Sequence, residues 1–140
     1  DIAAAANCDI DGIIIPKLET PEQCNPIISA VAAAEKANAD KRPVKIMGGI
    51  ESMLGVLNVN ELCRANDLMS SVFFGAEDLA SDMGARRTKE GDEVLYARSR
   101  VVLAAKIASI VAIDQAVIDV RNDEQCRTDA SKGRDLGYEG

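Results

Sequence analysis

Residues 71–78 read Ser-Val-Phe-Phe-Gly-Ala-Glu-Asp, an apolar run that stops at a glycine and an acidic pair. A short unbroken apolar run bounded by turn residues is typical of a strand buried on both faces, here residues 71–75. Three further runs, at residues 11–16, 44–50 and 110–113, have the same character. Because stretches with helical spacing separate them, the pattern predicts parallel strands that alternate with helices.

Helices are expected between and after these strands, and turn residues mark where several of them begin and end. Thr20 and Pro21 are a predicted N-cap and first helical position, and Gly137 is expected to end the final helix. A loop is expected at residues 41–43. The predicted helices cover about residues 22–39, 52–64, from 88 or 90 to 108, and 123–136.

The spacing of the strands sets the size of the repeating unit. The strand centres lie near residues 14, 47, 73 and 112, which is one unit about every 33 residues. Eight such units need the ~250 residues of a (β/α)₈ barrel, and this chain holds about four. Periodicity alone leaves a doubly wound open sheet as an equally good alternative. Since no linker divides the chain, residues 1–140 are expected to form a single domain.

Composition excludes several classes of function. The 140 residues carry 16 Lys and Arg against 23 Asp and Glu, and a net charge of −7 argues against nucleic-acid or membrane partners. There is no histidine, which excludes Ser-His-Asp and Cys-His nucleophiles and His-ligated zinc or iron. No apolar run reaches ~18 residues, and no secretory signal is visible. The 4 cysteines form no C-x-x-C pair, and an intracellular protein, of the cytoplasm or the mitochondrial matrix, is expected.

An ionisable residue follows each predicted strand. Lys17 follows the first strand, Glu51 the second, Glu77 and Asp78 the third, and Asp114 the fourth. The carboxyl ends of parallel strands form the functional edge of such folds, so these side chains are candidate site residues. Two carboxylates without a histidine suit a hard cation such as Mg²⁺, which prefers oxygen ligands.

The segment that follows the third strand admits more than one interpretation. Gly75 and Ala76 lead into a helix start whose backbone N–H groups are suited to hold a substrate carboxylate. Asp78 is either a metal ligand or the N-cap of a helix that begins near Leu79. Glu77 is either an acid beside the site or an interface charge.

The long helix predicted before the fourth strand carries two arginines. For Arg98 and Arg100 a solvated or interhelical ion-pair face is expected. Asp114 directly follows the fourth predicted strand.

Four motifs, in order along the chain, resemble those of one protein family. Residues 50–58, Ile-Glu-Ser-Met-Leu-Gly-Val-Leu-Asn, resemble the I-E-[ST]-x-x-G-x-x-N segment of the pyruvate/phosphoenolpyruvate barrel superfamily. Residues 74–80, Phe-Gly-Ala-Glu-Asp-Leu-Ala, resemble the F-G-A-E-D-L-A segment of its citrate lyase β-subunit-like branch. The Tyr-Ala-Arg-Ser of residues 96–99, followed by Ala-Ile-Asp at 112–114, and the Ile-Pro-Lys-Leu-Glu of residues 15–19 resemble two more segments of that branch.

The chain is thus similar to the HpcH/HpaI aldolase and citrate lyase β-subunit-like family, which includes citrate lyase β subunits, malyl-CoA lyases and citramalyl-CoA lyases. The resemblance implies a partial (β/α)₈ TIM barrel of the phosphoenolpyruvate/pyruvate type. Residues 1–140 would be one partial domain that matches the C-terminal half up to just before the last strand.

The resemblance also implies a Mg²⁺-dependent carbon–carbon lyase that works as a homo-oligomer, in general a trimer. Such an enzyme cleaves citramalyl-CoA, malyl-CoA or citryl-CoA into a 2-oxo acid and acetyl-CoA. Glu51 and Asp78 would be its catalytic residues and Mg²⁺ ligands. The substrate would be bound by Glu51, Gly75, Ala76, Glu77 and Lys17. Asp114 would be structural or lie near the acyl-CoA.

Two alternatives stay open beside this lyase. One is a non-catalytic, truncated or structural half-barrel that assembles with other chains, and the other is a pyruvate-type class II aldolase. Ser109 stands where the family usually has glycine, and Gly48 and Gly49 replace bulkier strand residues. The 140 residues lack the family's substrate-pairing arginine and the acid from a neighbouring subunit, so this segment alone is expected to be inactive.

Overall fold

The structure, a computed structural model, describes residues 2–37 and 43–140. Its strands are β1 (Gly12–Ile15), β2 (Lys45–Ile50), β3 (Met69–Phe74) and β4 (Val111–Ile113). Its helices are α1 (Ile2–Asn7), α2 (Asn25–Ala37), α3 (Met53–Leu62), α4 (Ala76–Asp82), α5 (Leu95–Ala108) and α6 (Asp123–Leu136). All strand pairs are parallel, so the predicted alternation of parallel strands with helices is confirmed.

Neighbouring strands in the sheet are also neighbours in the sequence, in the order β1-β2-β3-β4. A doubly wound sheet reverses its strand order near the middle, whereas a barrel keeps the order sequential. The observed order is therefore that of a barrel segment. The prediction of a partial (β/α)₈ barrel with four βα units is confirmed, and the doubly wound alternative does not describe these strands.

The two faces of the sheet differ in burial. Side chains alternate between the faces along a strand, so residues in register across the sheet share a face. One such row lies in the hydrophobic core and consists of Ile15, Gly48, Val72 and Ala112. In the adjacent row Ile14 is 59% exposed and Val111 is 38% exposed. The helices therefore cover one face, and the edge strands leave apolar side chains open on the other.

Several element boundaries differ from the predicted ones. β3 begins at Met69, two residues before the predicted start. The first predicted helix opens, after its N-cap Thr20, as a 3₁₀ turn over Pro21–Cys24, and a similar turn over Asp92–Val94 precedes α5. The predicted loop at 41–43 and the end of the first helix fall partly on residues 38–42, which lie outside the described residues.

Helix α1 is an element that the sequence pattern does not predict. Its 6 residues are mostly alanine, which is a strong helix former, but the segment is too short to show a helical period. Ala6 is fully buried and α1 packs against α2. Tertiary packing therefore stabilises it. No helix of the described segments is long and apolar enough to cross a membrane.

The two glycines at the centre of β2 make room for neighbouring side chains. A Cβ on Gly48 would lie 2.6 Å from Cδ2 of Leu18, and a Cβ on Gly49 would lie 2.5 Å from Cζ of Phe73. The space is filled by Leu18 from the segment after β1 and by Phe73 from β3. The two glycines in the strand interior are thus accommodated by local packing.

Ser109 ends α5 in a left-handed conformation with φ 59° and ψ 37°. A side chain is strained there because its Cβ crowds the backbone. We expect Ser109→Gly to raise the free energy of unfolding by about 0.5–1 kcal/mol, the strain relieved less the entropy that glycine gains when unfolded. Urea denaturation of the two proteins measures this difference.

The neighbouring residue Ala108 provides a matched control. It is the last residue of α5, so Ala108→Gly should lower the free energy of unfolding by up to about 1 kcal/mol. Glycine is then expected to raise the free energy of unfolding at position 109 and to lower it at position 108. Equal or lower stability of Ser109→Gly would contradict the strain argument.

Candidate active site

The carboxyl ends of β2 and β3 lie side by side. Ile50, the last residue of β2, is in register with Phe74, the last residue of β3. The N–H of Gly75 donates to the carbonyl oxygen of Ile50 at 3.0 Å. Glu51 follows β2 directly and α4 begins two residues after β3, so Glu51 and the first turn of α4 meet at this edge of the sheet.

Glu51 is a buried carboxylate, only 7% exposed. Its Oε1 accepts a hydrogen bond of 2.7 Å from the backbone N–H of Lys17, which follows β1. None of the described residues donates to Oε2, so one oxygen is fixed and the other remains available. Lys17 therefore contributes its backbone amide to the site. The residue itself is exposed and has φ 45°, a conformation that turns the chain sharply after β1.

Gly75 lies in direct contact with the Glu51 side chain. A Cβ on Gly75 would lie 2.5 Å from Cβ of Glu51 and 2.6 Å from its Oε2. Only glycine permits this approach. Gly75 was predicted to offer its N–H to substrate, but that N–H already donates to Ile50, so the contribution of Gly75 is space for the carboxylate.

Asp78 lies inside helix α4 and does not cap it. The helix begins at Ala76, with Gly75 as its N-cap, so the interpretation of Asp78 as the cap of a helix starting near Leu79 is wrong. Acidic side chains in a first turn are favoured by the partial positive charge of the helix N-terminus. Asp78 is exposed, as is Glu77 beside it. Among these residues it is Ala76 that is buried, at 3% exposed, and its N–H belongs to the first turn of the helix.

Glu77 forms an ion pair that the sequence did not predict. Nε of Arg87, in the segment between α4 and α5, donates to Oε1 of Glu77 at 2.7 Å. Arg87 also contacts Oε1 of Glu93 through Nη1. Both Glu77 and Arg87 line a cavity that extends toward Gln115 in the loop after β4. Neither of the two predicted roles for Glu77, an acid beside the site or an interface charge, anticipated this partner.

Glu93 anchors the segment after α4, and its pKa is shifted strongly. Burial acts to raise that pKa, but hydrogen bonds from Thr88 and Arg87 outweigh it and hold the pKa of Glu93 at about 2, against an ordinary value of 4.5. A depressed folded-state pKa stabilises the fold above the ordinary value, and the contribution disappears as the pH falls toward 2. Glu93→Gln should therefore lower the free energy of unfolding at pH 7 by at most about 3 kcal/mol.

This pH dependence can be measured by urea denaturation of both proteins between pH 7 and pH 2.5. The difference in unfolding free energy should be constant above about pH 5 and should shrink through the interval from 4.5 to 2. Glu90→Gln is the control, because Glu90 is exposed in the same segment. If the difference in unfolding free energy between wild type and Glu93→Gln does not change with pH, the depressed pKa assigned to Glu93 would be contradicted.

Asp114 follows β4 as predicted and is committed to a buried ion-pair cluster. Nε of Arg98 donates to its Oδ1 at 2.8 Å, and Nη2 contacts its Oδ2. Arg98 is 1% exposed and also pairs with Asp129 of α6 at 3.2 Å. The phenol of Tyr138 donates to the carbonyl oxygen of Arg98 at 2.8 Å. The interhelical ion pair expected for Arg98 is confirmed, the solvated alternative is wrong, and Asp114 has a structural role.

The donor set at the end of β2 and in α4 fits Mg²⁺. In the part of the chain that the structure describes, no group of three or more His, Cys, Asp or Glu side chains is placed to hold a metal ion. Mg²⁺ usually takes only one or two protein carboxylates and completes its octahedron with water and substrate. Two carboxylates are present here. Glu51 has its Oε2 available, and Asp78 is exposed in the first turn of α4.

Comparisons with known proteins all point to one family. A family model described as HpcH/HpaI aldolase/citrate lyase matches residues 1–140. The chain is 36% identical over 94% of its length to the citrate lyase subunit beta-like protein of Deinococcus radiodurans, covering 44% of that protein. It is 36% identical over its whole length to citrate lyase subunit beta of Leuconostoc mesenteroides, covering 47% of it. The mitochondrial citramalyl-CoA lyase of Homo sapiens is 27% identical over 91% of the chain, which covers 40% of that enzyme.

Solved structures show the same architecture. RipC from Yersinia pestis superposes with a TM-score of 0.86 at 26% identity, over 98% of this chain and 60% of RipC. The citrate lyase beta subunit of M. tuberculosis, complexed with oxaloacetate and magnesium, superposes with a TM-score of 0.72 at 22% identity, over 91% of this chain and 53% of that one. The chain spans about half the length of the curated relatives it matches.

Proposed function

Because this chain belongs to the HpcH/HpaI aldolase/citrate lyase family, we propose that the native polypeptide is a carbon–carbon lyase acting on CoA thioesters. Its relatives are named as lyases, among them citrate lyase beta subunits and citramalyl-CoA lyases. The substrate proposed is a 2-hydroxyacyl-CoA, namely citramalyl-CoA, malyl-CoA or citryl-CoA. The products are a 2-oxo acid and acetyl-CoA.

One observation of the structure carries this proposal: the buried Glu51 carboxylate at the carboxyl end of β2, with one oxygen fixed and the other available. Asp78 stands at the start of the neighbouring βα unit. These two residues would hold Mg²⁺, which when bound supplies a Lewis acid for the negative charge that develops on the oxo-acid oxygens. The magnesium complex of the M. tuberculosis neighbour supports this choice of metal.

The residues around the carboxylates have separate tasks in this reaction. The amide of Lys17 holds Glu51 in one orientation, and Gly75 leaves the space that its carboxylate occupies. The N–H groups of Ala76, Glu77 and Asp78 open α4, where they are suited to bind the carboxylate of the oxo acid. In the cleavage the hydroxyl loses its proton and its carbon becomes the oxo carbon, while the bond from that carbon to the CoA-side methylene breaks. The methylene keeps the electron pair of the broken bond and takes up a proton, which gives the methyl group of acetyl-CoA. We propose that the enzyme is a homotrimer of the cytoplasm or the mitochondrial matrix.

The assay that tests the proposal measures release of acetyl-CoA and oxo acid by the native polypeptide. Citramalyl-CoA, malyl-CoA and citryl-CoA are supplied in turn, with MgCl₂ or with EDTA. Turnover of at least one thioester with Mg²⁺ and its loss in EDTA would support a Mg²⁺-dependent lyase. Cleavage of a free 4-hydroxy-2-oxo acid without CoA would instead support the class II aldolase, and no turnover of any substrate would support the non-catalytic half-barrel.

Residues 1–140 alone are expected to show no efficient turnover in the same assay. The open apolar face and the outer edge of β1, which pairs with no other described strand, favour association with other protein segments. The family's arginine and neighbouring-subunit acid also lie outside this segment, and positioning and proton transfer each often contribute orders of magnitude in rate. Robust cleavage of malyl-CoA or citramalyl-CoA by residues 1–140 would contradict this expectation.

A further inference from the structure

Lys17, whose amide fixes Glu51, has a backbone conformation that residues with a side chain rarely adopt. Its φ of 45° lies in the left-handed region, where the Cβ crowds the backbone. A strained conformation of this kind persists only where neighbouring contacts hold it, and such residues are concentrated at functional sites. The contacts that hold Lys17 therefore also determine where its N–H points.

The chain bulges out of the sheet at this point. The register of β1 against β2 ends with Ile15 opposite Gly48. The N–H of Leu18 then donates to the carbonyl oxygen of Gly49 at 2.9 Å. Two residues of the segment after β1 thus stand where β2 has none, and the second of them is Lys17. Bulges beside active sites change the direction of the groups they carry, and here the bulge turns an N–H toward a carboxylate.

The side chain of Gln23 holds the backbone of this bulge. Its Nε2 donates to the carbonyl oxygen of Lys17 at 3.2 Å, and its Oε1 accepts from the N–H groups of Glu19 at 2.7 Å and Thr20 at 2.9 Å. Two backbone donors need an oxygen and one backbone carbonyl needs an NH₂, so a single orientation of the amide satisfies all three contacts. Lys17 is thereby tied on both sides, through its N–H to Glu51 and through its carbonyl oxygen to Gln23.

Helix α3 fixes the rest of the same segment. Nδ2 of Asn58 donates to the carbonyl oxygen of Glu19 at 2.9 Å. A Cβ on Gly55 would lie 2.7 Å from the carbonyl oxygen of Leu18, so α3 packs directly against this backbone. These contacts should keep the segment in place when only the bond to the Lys17 carbonyl is removed.

We propose that Gln23 is a positioning residue, which holds Lys17 in its left-handed conformation and thereby keeps one oxygen of Glu51 fixed and the other available to the metal. The inference rests on the proposed function, because it takes Glu51 as a Mg²⁺ ligand. Groups that orient a metal ligand by hydrogen bonding typically contribute tenfold or more to metal affinity. Gln23 acts on the carboxylate through the backbone of Lys17.

The variant Gln23→Glu separates this role from simple capping of the turn. A carboxylate at this position can still accept from the N–H groups of Glu19 and Thr20, as in a capping box, but it has no proton to donate to the Lys17 carbonyl. The turn should therefore keep its cap while Lys17 loses one of its two anchors. Gln23→Ala removes all three bonds.

The direct measurement is hydrogen exchange of the Lys17 amide, followed by NMR in the metal-free native polypeptide labelled with ¹⁵N-lysine. The resonance is assigned from its absence in Lys17→Arg. We expect exchange to be about tenfold faster in Gln23→Glu and in Gln23→Ala, which is the upper range for the loss of one hydrogen bond. In calorimetric titration with MgCl₂ and oxaloacetate, Mg²⁺ affinity should be about tenfold lower in both variants.

Asn122→Ala is the matched control for a general loss of stability. Asn122 caps α6, and its side chain accepts from the N–H of Gln125 at 3.0 Å, so this variant also loses a capping bond, in a different βα unit. Its Lys17 exchange and its Mg²⁺ affinity should both stay within about twofold of wild type. Circular dichroism and urea denaturation confirm that each variant is folded.

The outcomes distinguish this inference from the proposed function. If wild type binds Mg²⁺ but Gln23→Glu keeps the wild-type exchange at Lys17, Gln23 is only a cap, and this inference alone is overturned. If exchange becomes faster while Mg²⁺ affinity stays unchanged, the positioning role is likewise contradicted. If wild type binds no Mg²⁺ with oxaloacetate present, both the proposed metal site and this inference are overturned.

Discussion

The Glu51→Gln variant of the native polypeptide is expected to lose about three orders of magnitude in Mg²⁺-dependent lyase rate while remaining folded, since a Lewis acid stabilises developing charge by several kcal/mol. Oε1 of a glutamine can still accept the hydrogen bond that Lys17 donates to Glu51 at 2.7 Å. Only the charge of the buried carboxylate is lost. Asp78→Asn, in the exposed first turn of α4, should have a comparable effect on rate.

The control for both variants is Glu61→Gln. Glu61 is exposed on α3, away from the carboxyl ends of the strands. The lyase rate of the Glu61→Gln variant should therefore stay within about twofold of the wild-type rate. The direct measurement is Mg²⁺ titration calorimetry with pyruvate, oxaloacetate or glyoxylate present. Unchanged metal affinity in both the Glu51 and the Asp78 variants would show that these residues are not the ligands.

Arg98→Met is expected to have the largest effect on stability, a loss of about 3–5 kcal/mol in the free energy of unfolding. Methionine fills much of the same volume but leaves the carboxylates of Asp114 and Asp129 without their shared cation. Those side chains are only 11% and 17% exposed, so water compensates them poorly. Burial acts to lower the pKa of Arg98, but Asp114 and Asp129 raise it, as expected for a tightly paired guanidinium.

An exposed arginine in a comparable pair provides the control for this loss. Arg134 contacts Asp135 at 3.4 Å, with side chains 76% and 73% exposed. Arg134→Met should change the unfolding free energy by less than about 1 kcal/mol, because water screens exposed pairs. Urea denaturation at pH 7 measures both variants, and similar losses at the two positions would contradict the importance of burial.

Elements with a strong local signal were predictable from the sequence. Each of the four strands contains a short apolar run, and α6 has the predicted limits because Asn122 caps it and Gly137 ends it with φ 105°. The start of α4 was not predictable from capping preferences, which favour Asp78. The hydrogen bond from Gly75 to Ile50 of the neighbouring strand places the start instead at Ala76.

The contacts that define the site also depend on residues far apart in sequence. Glu51 could be chosen from its position after a strand, but its burial depends on an amide from Lys17, 34 residues earlier. The pairing of Glu77 with Arg87 spans 10 residues between a helix and a coil, a separation with no periodic signal. Arg98 could be placed on a helix, whereas its partners lie after β4 and on α6. Sequence patterns therefore located the candidate residues and could not supply their partners.

The contact between Gly75 and Glu51 restricts the order in which descendants of this protein can change. Any side chain at position 75 would collide with the Glu51 carboxylate, whose Oε2 lies 2.6 Å from where a Cβ would stand. A lineage under selection for the carboxylate must therefore retain glycine at 75. Because a Cβ at position 75 would also lie 2.5 Å from Cβ of Glu51, the restriction ends only if residue 51 becomes glycine or the backbone there shifts, and substitutions at 75 can then accumulate. Among duplicated copies, a larger residue at this position would then identify those in which selection on the carboxylate had already been relaxed.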